Sequence, residues 1–441
     1  MSTRQLELAP SNKTTDQKYS FKKGVAQLQF QIPPGNYLLD PASVRIVGKV
    51  QYFNDTQGTQ IGASADINQR IGVYSHFQQL IFRSLKHQTT ISHSKHYNTW
   101  CSGYFGASAG VEDNMTHLSE TALTLPNYDI IRETVVRKTE PNSFCVHLPC
   151  GLLNSGAPLN LMDNALGGLE LVIMLESDAN SINILPANNT TAPDATGYSD
   201  VMYELSDVSL VCSVVTPPPD QLSQLMKQTQ GSFTFQDIHS FYDTFNSTNL
   251  QINMLFGLSR VKSLYMSFIE SSKLNNLTAD GFSLLPPTNL DGSQAFIKKI
   301  NWLKGGRAYP KLYPLETNIQ KDSKVILNDP EVAKDYINSI LPWDRAKTIS
   351  MSPQTNNRDI VGVVNSNGSL PYQFVQDTGM VYALGINYEN YIGSSGVPFD
   401  KESFGVAIDC DLKSNSAQSV FIFVNAETTI VYNSNGVQAV N

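Results

Sequence analysis

The sequence predicts an all-β protein made of two consecutive antiparallel sandwiches, and three observations support this prediction. Short segments in which apolar and polar residues alternate recur along the chain, separated by loops rich in Gly, Asn, Ser and Pro, which is typical of such sandwiches. The length of 441 residues exceeds the size at which one hydrophobic core usually divides into domains. Three consecutive prolines, residues 217–219, end a strand close to the midpoint.

The first half is predicted to contain six main strands. In the first of them Leu28, Phe30 and Ile32 alternate with glutamines, which is the two-residue period of a half-buried strand. The next strand repeats this pattern over residues 44–52. The other strands of this half are predicted at residues 77–83, 144–148, 169–175 and 208–215.

The second half shows the same strand rhythm, with one predicted helix at residues 329–340, where Asp329 is the N-cap and Pro330 the first helical residue. Alternating residues predict strands near 252–256, 264–268 and 406–412. The segment 419–433 is predicted to form two strands joined by a turn at residues 425–427.

These patterns divide the chain into four parts. The first 23 residues carry five basic and two acidic side chains and few apolar ones, so we expect a flexible arm outside the core, with order beginning at Val25. Asp220 follows the prolines and starts a short helix that ends near residue 226. The predicted parts are the arm (1–23), the first sandwich (24–216), a proline-rich linker with a short helix (217–230) and the second sandwich (231–441).

Composition excludes several classes of protein. The chain has 31 basic and 39 acidic residues, a net charge of −8 and a pI near 5.4, which argues against specific nucleic-acid binding. The longest apolar runs are far shorter than the roughly 20 residues that a membrane helix needs, and no secretory signal is predicted. Five cysteines leave at least one thiol free, so we expect folding in a reducing compartment.

The acidic residues do not form a predicted catalytic pair. Asp409 and Asp411 share one strand face, but this face lies opposite the apolar one, so both carboxylates are interpreted as solvated. Glu176 and Asp178 lack the further glutamate that β-sandwich glucanases carry. Because glycoside hydrolysis needs two convergent carboxylates, we expect no hydrolase.

Metal and nucleophile motifs are incomplete as well. A Gly-x-Ser-x-Gly turn and a phosphate-binding loop are both missing from the sequence. The two clusters of metal-ligating residue types supply no full ligand set and are interpreted as structural. We therefore predict no enzyme, and no catalytic, cofactor-binding or metal residue. The clusters are His93, His96 with Cys101, and Cys145, His147 with Cys150.

Five segments, taken in order, resemble a known family. They are similar to the major capsid proteins of eukaryotic double-stranded DNA viruses, of the polinton-like virus and virophage type, which are related to giant-virus capsid proteins and adenovirus hexon. The segments are FQIPPGNYLLDPASVRIVGKVQYFN, FQQLIFRSLKHQTTISHSKHYNTWC, FCVHLPCGLLNSGAPLNLMDNALGGLELVIML, YELSDVSLVCSVV and AFIKKINWLKGGRAYPKLYPLE.

The resemblance implies a double jelly roll, that is, two consecutive eight-stranded antiparallel jelly rolls with a few short helices. It also implies that three copies form a pseudo-hexameric homotrimer, a capsomer that tiles an icosahedral virion. Expected partners are neighbouring capsomers, penton and minor capsid proteins, and an inner membrane touched by the N-terminal arm. The protein would be made in the host cytoplasm or virus factory.

The alternative function is that of a carbohydrate-binding β-sandwich protein. Such a protein needs aromatic side chains clustered on an exposed face. The chain has 20 Phe and 19 Tyr residues, but the sequence alone does not place them. A glycan array separates the two hypotheses.

Overall fold

Strands dominate the structure, a computed structural model, and the helices are short. It describes residues 2–13, 16–54, 59–60, 65–68, 71–108, 121–123, 141–184, 200–246, 249–282, 297–309, 315–316, 383–388, 396–410, 417–433 and 436–440. The first-half strands are β1 (Ser2–Leu8), β2 (Lys18–Tyr19), β3 (Gln27–Ile32), β4 (Leu38–Asn54), β5 (Thr59–Gln60), β6 (Ala65–Ile67), β7 (Phe77–Ser84), β8 (Thr90–Ser94), β9 (Asn142–His147), β10 (Leu159–Asn160), β11 (Leu169–Leu175), β12 (Ile182–Ile184) and β13 (Val201–Thr216). The second-half strands are β14 (Gln230–Phe245), β15 (Asn249–Met254), β16 (Val261–Glu270), β17 (Ile297–Lys304), β18 (Arg307–Ala308), β19 (Leu315–Glu316), β20 (Ala383–Asn387), β21 (Phe404–Cys410), β22 (Gln418–Asn433) and β23 (Gly436–Val440). The helices are α1 (Tyr97–Ser108), α2 (Asp178–Ser181) and α3 (Pro219–Lys227), and two 3-10 helices cover Gly72–His76 and Ser271–Lys273.

The first half forms two antiparallel layers with four main strands each; the short strands β2, β5 and β10 extend the first layer, and β6 pairs with β12 in a separate two-stranded sheet. Sheet A has the order β1-β13-β4-β9, and sheet B has the order β3-β11-β7-β8. The eight main strands, in chain order, are β1, β3, β4, β7, β8, β9, β11 and β13. Numbered from first to eighth in this order, they are arranged first-eighth-third-sixth in sheet A and second-seventh-fourth-fifth in sheet B. This is the strand order of a jelly roll.

The second half repeats this order. Sheet C runs β14-β22-β16-β20, and sheet D runs β15-β21-β17-β18, which again gives first-eighth-third-sixth and second-seventh-fourth-fifth. Every strand pairing in the described part of the chain lies within residues 2–216 or within 230–440. The protein is a double jelly roll whose two units share one topology.

The prediction of a flexible N-terminal arm is wrong for residues 2–8. Strand β1 pairs with β13 from Ser2 opposite Thr216 to Leu8 opposite Leu210, so it is the first strand of the first jelly roll. Apolar alternation is weak in β1 because it lies at the edge of sheet A and most of its side chains face solvent. Order therefore begins well before Val25.

Helix α1 is absent from the predicted elements of the first half. Its buried side chains include polar ones such as Asn98 and Ser102 as well as Tyr97, Trp100 and Cys101. A helix that is buried on most sides shows no apolar stripe with a period of 3.6 residues. Sequence periodicity therefore could not identify it.

The predicted turn at residues 425–427 is wrong. Strand β22 is continuous through this point, and Ala426 is fully buried and paired with Asp237 on one side and Val261 on the other. The polar residue Glu427, which suggested a turn, forms ion pairs with Arg260 and Lys262 at the strand margin. Its charge is therefore neutralised within the sheet.

Several smaller predictions can be compared with the structure. The helix predicted at residues 220–226 is α3. Gly305 and Gly306 join β17 to β18 with positive φ values of 56° and 76°, as a two-residue type I′ hairpin turn requires. The helix predicted at 329–340 lies outside the described residues. No described helix is long and apolar enough to span a membrane.

Candidate functional site: the seam between the two jelly rolls

The two jelly rolls meet along a buried surface, here called the seam, where the outer face of sheet C packs against the first jelly roll. Trp100 on α1 lies at its centre. The Trp100 ring is 5.2 Å from the ring of Tyr265 and 5.5 Å from that of Phe423, in edge-to-face geometry. Each such aromatic pair contributes about 0.5–1.5 kcal/mol beyond its buried area. These three rings therefore form an aromatic cluster that joins the two units.

Strand β22 contributes to two apolar layers at once. Val420, Ile422 and Val424 point into the core of the second jelly roll, whereas Phe421 and Phe423 point into the seam. A strand buried on both faces has a nearly continuous apolar sequence. The run VFIFV is apolar throughout because one face of β22 is buried in the second jelly roll and the other face is buried in the seam.

A buried hydrogen-bonded group crosses the seam. The Ser92 hydroxyl on β8 donates to Asp237 Oδ1 on β14 over 2.7 Å, and the backbone N–H of Ile238 donates to the same oxygen over 3.0 Å. Burial raises the pKa of Asp237, an effect that the neighbouring His239 opposes, and burial lowers the pKa of His239. Because a buried carboxyl group is costly without partners, these bonds fix β14 against β8.

Further hydrogen bonds lie around the apolar centre. The Ser102 hydroxyl donates to the carbonyl oxygen of Phe282, and the Ser240 hydroxyl donates to that of Lys95, each over 2.6 Å. The side-chain amide of Asn164 donates to two carbonyl oxygens at the C-terminal end of α3. The linker helix is thus attached to the first jelly roll.

One position of the seam has no room for a side chain. A Cβ atom added to Gly151 would lie 1.5 Å from the carbonyl oxygen of Gln236 on β14. Beside this contact, Trp100, Lys262 and Glu427 help to line an open cleft of about 430 Å³ between the two units. The backbones of the two jelly rolls are therefore in direct contact here.

The carboxylates considered in the sequence have structural partners. Glu176 accepts a hydrogen bond from the Asn98 side chain over 2.7 Å, and Asp178 accepts one from the backbone N–H of Tyr203 over 2.8 Å. Asp409 is half-buried on β21, and Asp411 lies outside the described residues. Glu176 and Asp178 are therefore held by hydrogen bonds within the first jelly roll.

The two His and Cys clusters do not form metal centres in the described part of the chain. His93 bonds to Gln79, His96 stacks on Tyr242, and Cys101 is buried within α1. No group of three or more His, Cys, Asp or Glu side chains there is placed to hold a metal. Cys145 is exposed, whereas Cys150 is buried. Burial, with a smaller effect from Arg45, lowers the pKa of the neighbouring His147 to about 4.

His76 gives the first jelly roll a pH dependence that can be measured. Its ring is fully buried, stacked 4.1 Å from the ring of Tyr203, and burial lowers its pKa to about 3. Protonation therefore favours the unfolded state: the stability is complete above the unfolded pKa near 6.5 and is lost as the pH falls toward 3.

Between pH 7 and pH 5, His76 is expected to lower the free energy of unfolding by about 2 kcal/mol. His76→Phe keeps the aromatic stack and removes the titrating group. Urea unfolding at both pH values checks this. The variant should lose about 2 kcal/mol less than the wild type, and equal losses would contradict the assignment.

Sequence reasoning did not find the seam residues Trp100, Tyr265, Phe421 and Gly151. The available signal was the apolar run 420–424, which is too uninterrupted for a strand with one solvated face. Gly151 showed no pattern in the sequence, because a glycine is needed there only to leave room for the backbone of Gln236.

Several solved structures share the architecture of this chain. The chain is similar to the capsid of the virus PBCV-1 (TM-score 0.59, 10% identity, 100% of this chain and 96% of that chain covered). It is also similar to the Faustovirus major capsid protein (0.58, 10%, 98% and 90%) and to the Sputnik virophage structure (0.53, 13%, 100% and 88%). These likenesses show a shared double jelly-roll fold over the whole chain. No protein-family model and no curated protein matches the sequence.

Proposed function

We propose that this chain is a major capsid protein, three copies of which form a pseudo-hexameric capsomer of an icosahedral virus shell. The observation that carries the proposal is that two jelly rolls of one topology are locked together by a buried seam. Three such two-lobed blocks around a threefold axis present six similar lobes. A tile of this kind packs in hexagonal arrays although its true symmetry is threefold.

The rigidity of the block supports this function. Domains joined only by a linker usually move relative to one another. Here Trp100, Tyr265 and Phe423 form an apolar contact, and Ser92 and Asp237 form a buried hydrogen bond across it. The relative position of the two lobes is then set within each chain, which a repeating shell needs.

The fold likeness supports the same proposal. Structures described as a virus capsid and as a major capsid protein align with nearly the whole of this chain and with 90% or more of their own length. The proposed location is the virion, after synthesis in the host cytoplasm or virus factory. Proposed partners are neighbouring capsomers, penton proteins and minor capsid proteins.

The structure of the N-terminal segment does not favour the expected membrane contact of the arm. Residues 2–8 belong to sheet A. Lys18 and Lys22 form ion pairs with Glu204 and Asp200, so part of the positive charge of residues 1–23 is neutralised within the molecule.

The carbohydrate-binding alternative gains no support from the described residues. Only Phe21 and Tyr242 are large exposed aromatic side chains in that part of the chain. The Tyr242 hydroxyl lies 3.1 Å from that of Ser419, and its ring stacks on His96. An exposed aromatic platform is therefore absent from the described surface.

Light scattering on the purified full-length protein tests the proposal. We expect a particle with three times the chain mass of 48.6 kDa, because obligate capsid interfaces usually exceed about 2,000 Å² and persist on dilution. A particle with the mass of one chain at high protein concentration would contradict it.

A further inference from the structure

One histidine of the first jelly roll is packed into the seam. His96 immediately precedes α1, and its ring contacts two aromatic rings of the second jelly roll, 5.8 Å from that of Tyr242 and 5.1 Å from that of Phe421. The carbonyl oxygen of His96 accepts a hydrogen bond from the backbone N–H of Trp100 over 3.0 Å. His96 therefore connects the edge of the seam with the residue at its centre.

The backbone of His96 has an uncommon conformation. Its φ is +50°, in the left-handed region that residues other than glycine adopt only occasionally. The carbonyl oxygen of the adjacent Lys95 accepts a hydrogen bond from the Ser240 hydroxyl of the second jelly roll over 2.6 Å. Such conformations persist where surrounding contacts hold them, and they cluster in switch regions. Contacts with the second jelly roll help to hold this residue in place.

The seam offers a protonated His96 no partner of opposite charge in the described part of the chain. The His96 ring is half-buried, and the charged group that acts on it is Lys95. Burial and, to a smaller extent, the Lys95 ammonium group lower the pKa of His96. Protonation in the closed seam places a second positive charge beside Lys95 without a carboxylate to pair with it.

We propose that His96 is an acid-sensitive clasp of the seam, whose protonation loosens the contact between the two jelly rolls. A histidine released from the seam has an ordinary pKa near 6.5. Because the pKa of His96 is lower in the closed seam, its contribution to closure is complete above a pH of about 6.5 and is lost progressively as the pH falls. The device lies within one chain and does not depend on the proposed capsomer.

A second titratable group at the seam, the pair of Asp237 and His239, does not set this direction. Burial raises the pKa of Asp237 and lowers that of His239. As the pH falls, proton binding therefore favours the closed seam at Asp237 and the open seam at His239. The two effects oppose each other. Both are present in the wild type and in a variant of His96, so a comparison of these two proteins isolates His96.

Limited proteolysis of the full-length protein at pH 7 and pH 5 tests the proposal. Cleavage within the 217–230 linker follows the population of the open form, and His96→Phe keeps an aromatic ring at the seam but cannot bind a proton. The ratio of wild-type to His96→Phe cleavage rates at each pH cancels the pH dependence of the protease. We expect this ratio to rise at least about threefold at pH 5, and about 25-fold if His96 stays neutral in the closed seam.

Two further variants connect the effect with charge at the seam. His93→Gln is the matched control, because His93 is also half-buried and its pKa is also lowered mainly by burial, but its ring bonds to Gln79 on sheet B. This variant should keep the wild-type response to acid. Lys95→Glu replaces the ammonium group beside His96 with a carboxylate, which favours protonation in the closed seam. Its response to acid should be smaller than that of the wild type.

A ratio that is the same at both pH values contradicts the proposal. A ratio that falls at pH 5 also contradicts it, because the rings of Tyr242 and Phe421 then favour the imidazolium ion through cation–π contacts. Should His96→Phe fail to fold, the wild type is compared with Lys95→Glu in the same way, and equal acid responses overturn the proposal. The mass of the particle in solution tests the capsomer separately, so either proposal can fail alone.

Discussion

Trp100→Ala is expected to lower the free energy of unfolding by about 3–5 kcal/mol, the range for removing a large buried aromatic side chain. Trp100 is 5% exposed and contacts Tyr265 and Phe423 across the seam. Its loss leaves a cavity between the two jelly rolls rather than within one of them. Urea unfolding should show two transitions in place of one, and a protease should cut the 217–230 linker faster.

Trp302→Ala is the matched control, because it removes the same side chain from the core of the second jelly roll, where Trp302 is 3% exposed. It should cost a comparable free energy while leaving linker cleavage at the wild-type rate. If Trp100→Ala and Trp302→Ala change linker cleavage equally, Trp100 does not hold the two units together.

Gly151→Ala is expected to separate the two jelly rolls at one edge of the seam. The added Cβ would lie 1.5 Å from the carbonyl oxygen and 2.6 Å from the carbonyl carbon of Gln236. Gln236 is paired with Glu427 in the middle of the β14–β22 ladder, so it cannot retreat without breaking strand hydrogen bonds. We expect a loss of about 3 kcal/mol, the upper end of the overpacking range, measured by urea unfolding.

Gly156→Ala is the control for this substitution. Gly156 has no heavy atom within 4 Å of an added Cβ, but its φ is +70°. Only backbone strain of about 1–2 kcal/mol is expected there, with no change in linker cleavage. A Gly151→Ala variant as stable as the wild type would show that the contact with β14 is not close.

Alternation of apolar and polar residues was sufficient to predict the strands with one solvated face. Val208, Leu210, Cys212 and Val214 are all buried, as the alternation in β13 indicates. The proline triplet likewise predicted a break between strand and helix: the strand was predicted to end at residue 215 and the helix to begin at Asp220, and the structure has these ends at Thr216 and Pro219. In each of these elements one local rule decides the structure. The two-residue period of apolar side chains defines the strand, and the N–H group that proline lacks ends it.

Elements whose environment comes from distant residues were not predictable in this way. Strand β1 has little apolar pattern and is held by its pairing with β13, some 200 residues away. Helix α1 packs against both jelly rolls, and none of its residues 97–105, for which burial is described, is exposed. In both, long-range contacts override local propensity.

The seam itself was only partly visible in the sequence. The run Val420–Val424 showed a strand with both faces apolar, but its second partner layer includes Trp100 on α1 and His96 of the other unit. The contact of Gly151 with Gln236 depends on two backbones that the fold alone brings together. No local pattern encodes such a contact.

Electron microscopy of the purified full-length particle tests most directly whether two like jelly rolls, fixed by their seam, build a six-sided tile. We predict threefold particles with a hexagonal outline and six lobes of similar size, two from each chain. Particles in which the two halves of a chain take variable relative positions, or in which one chain stands alone with two lobes, would contradict the account.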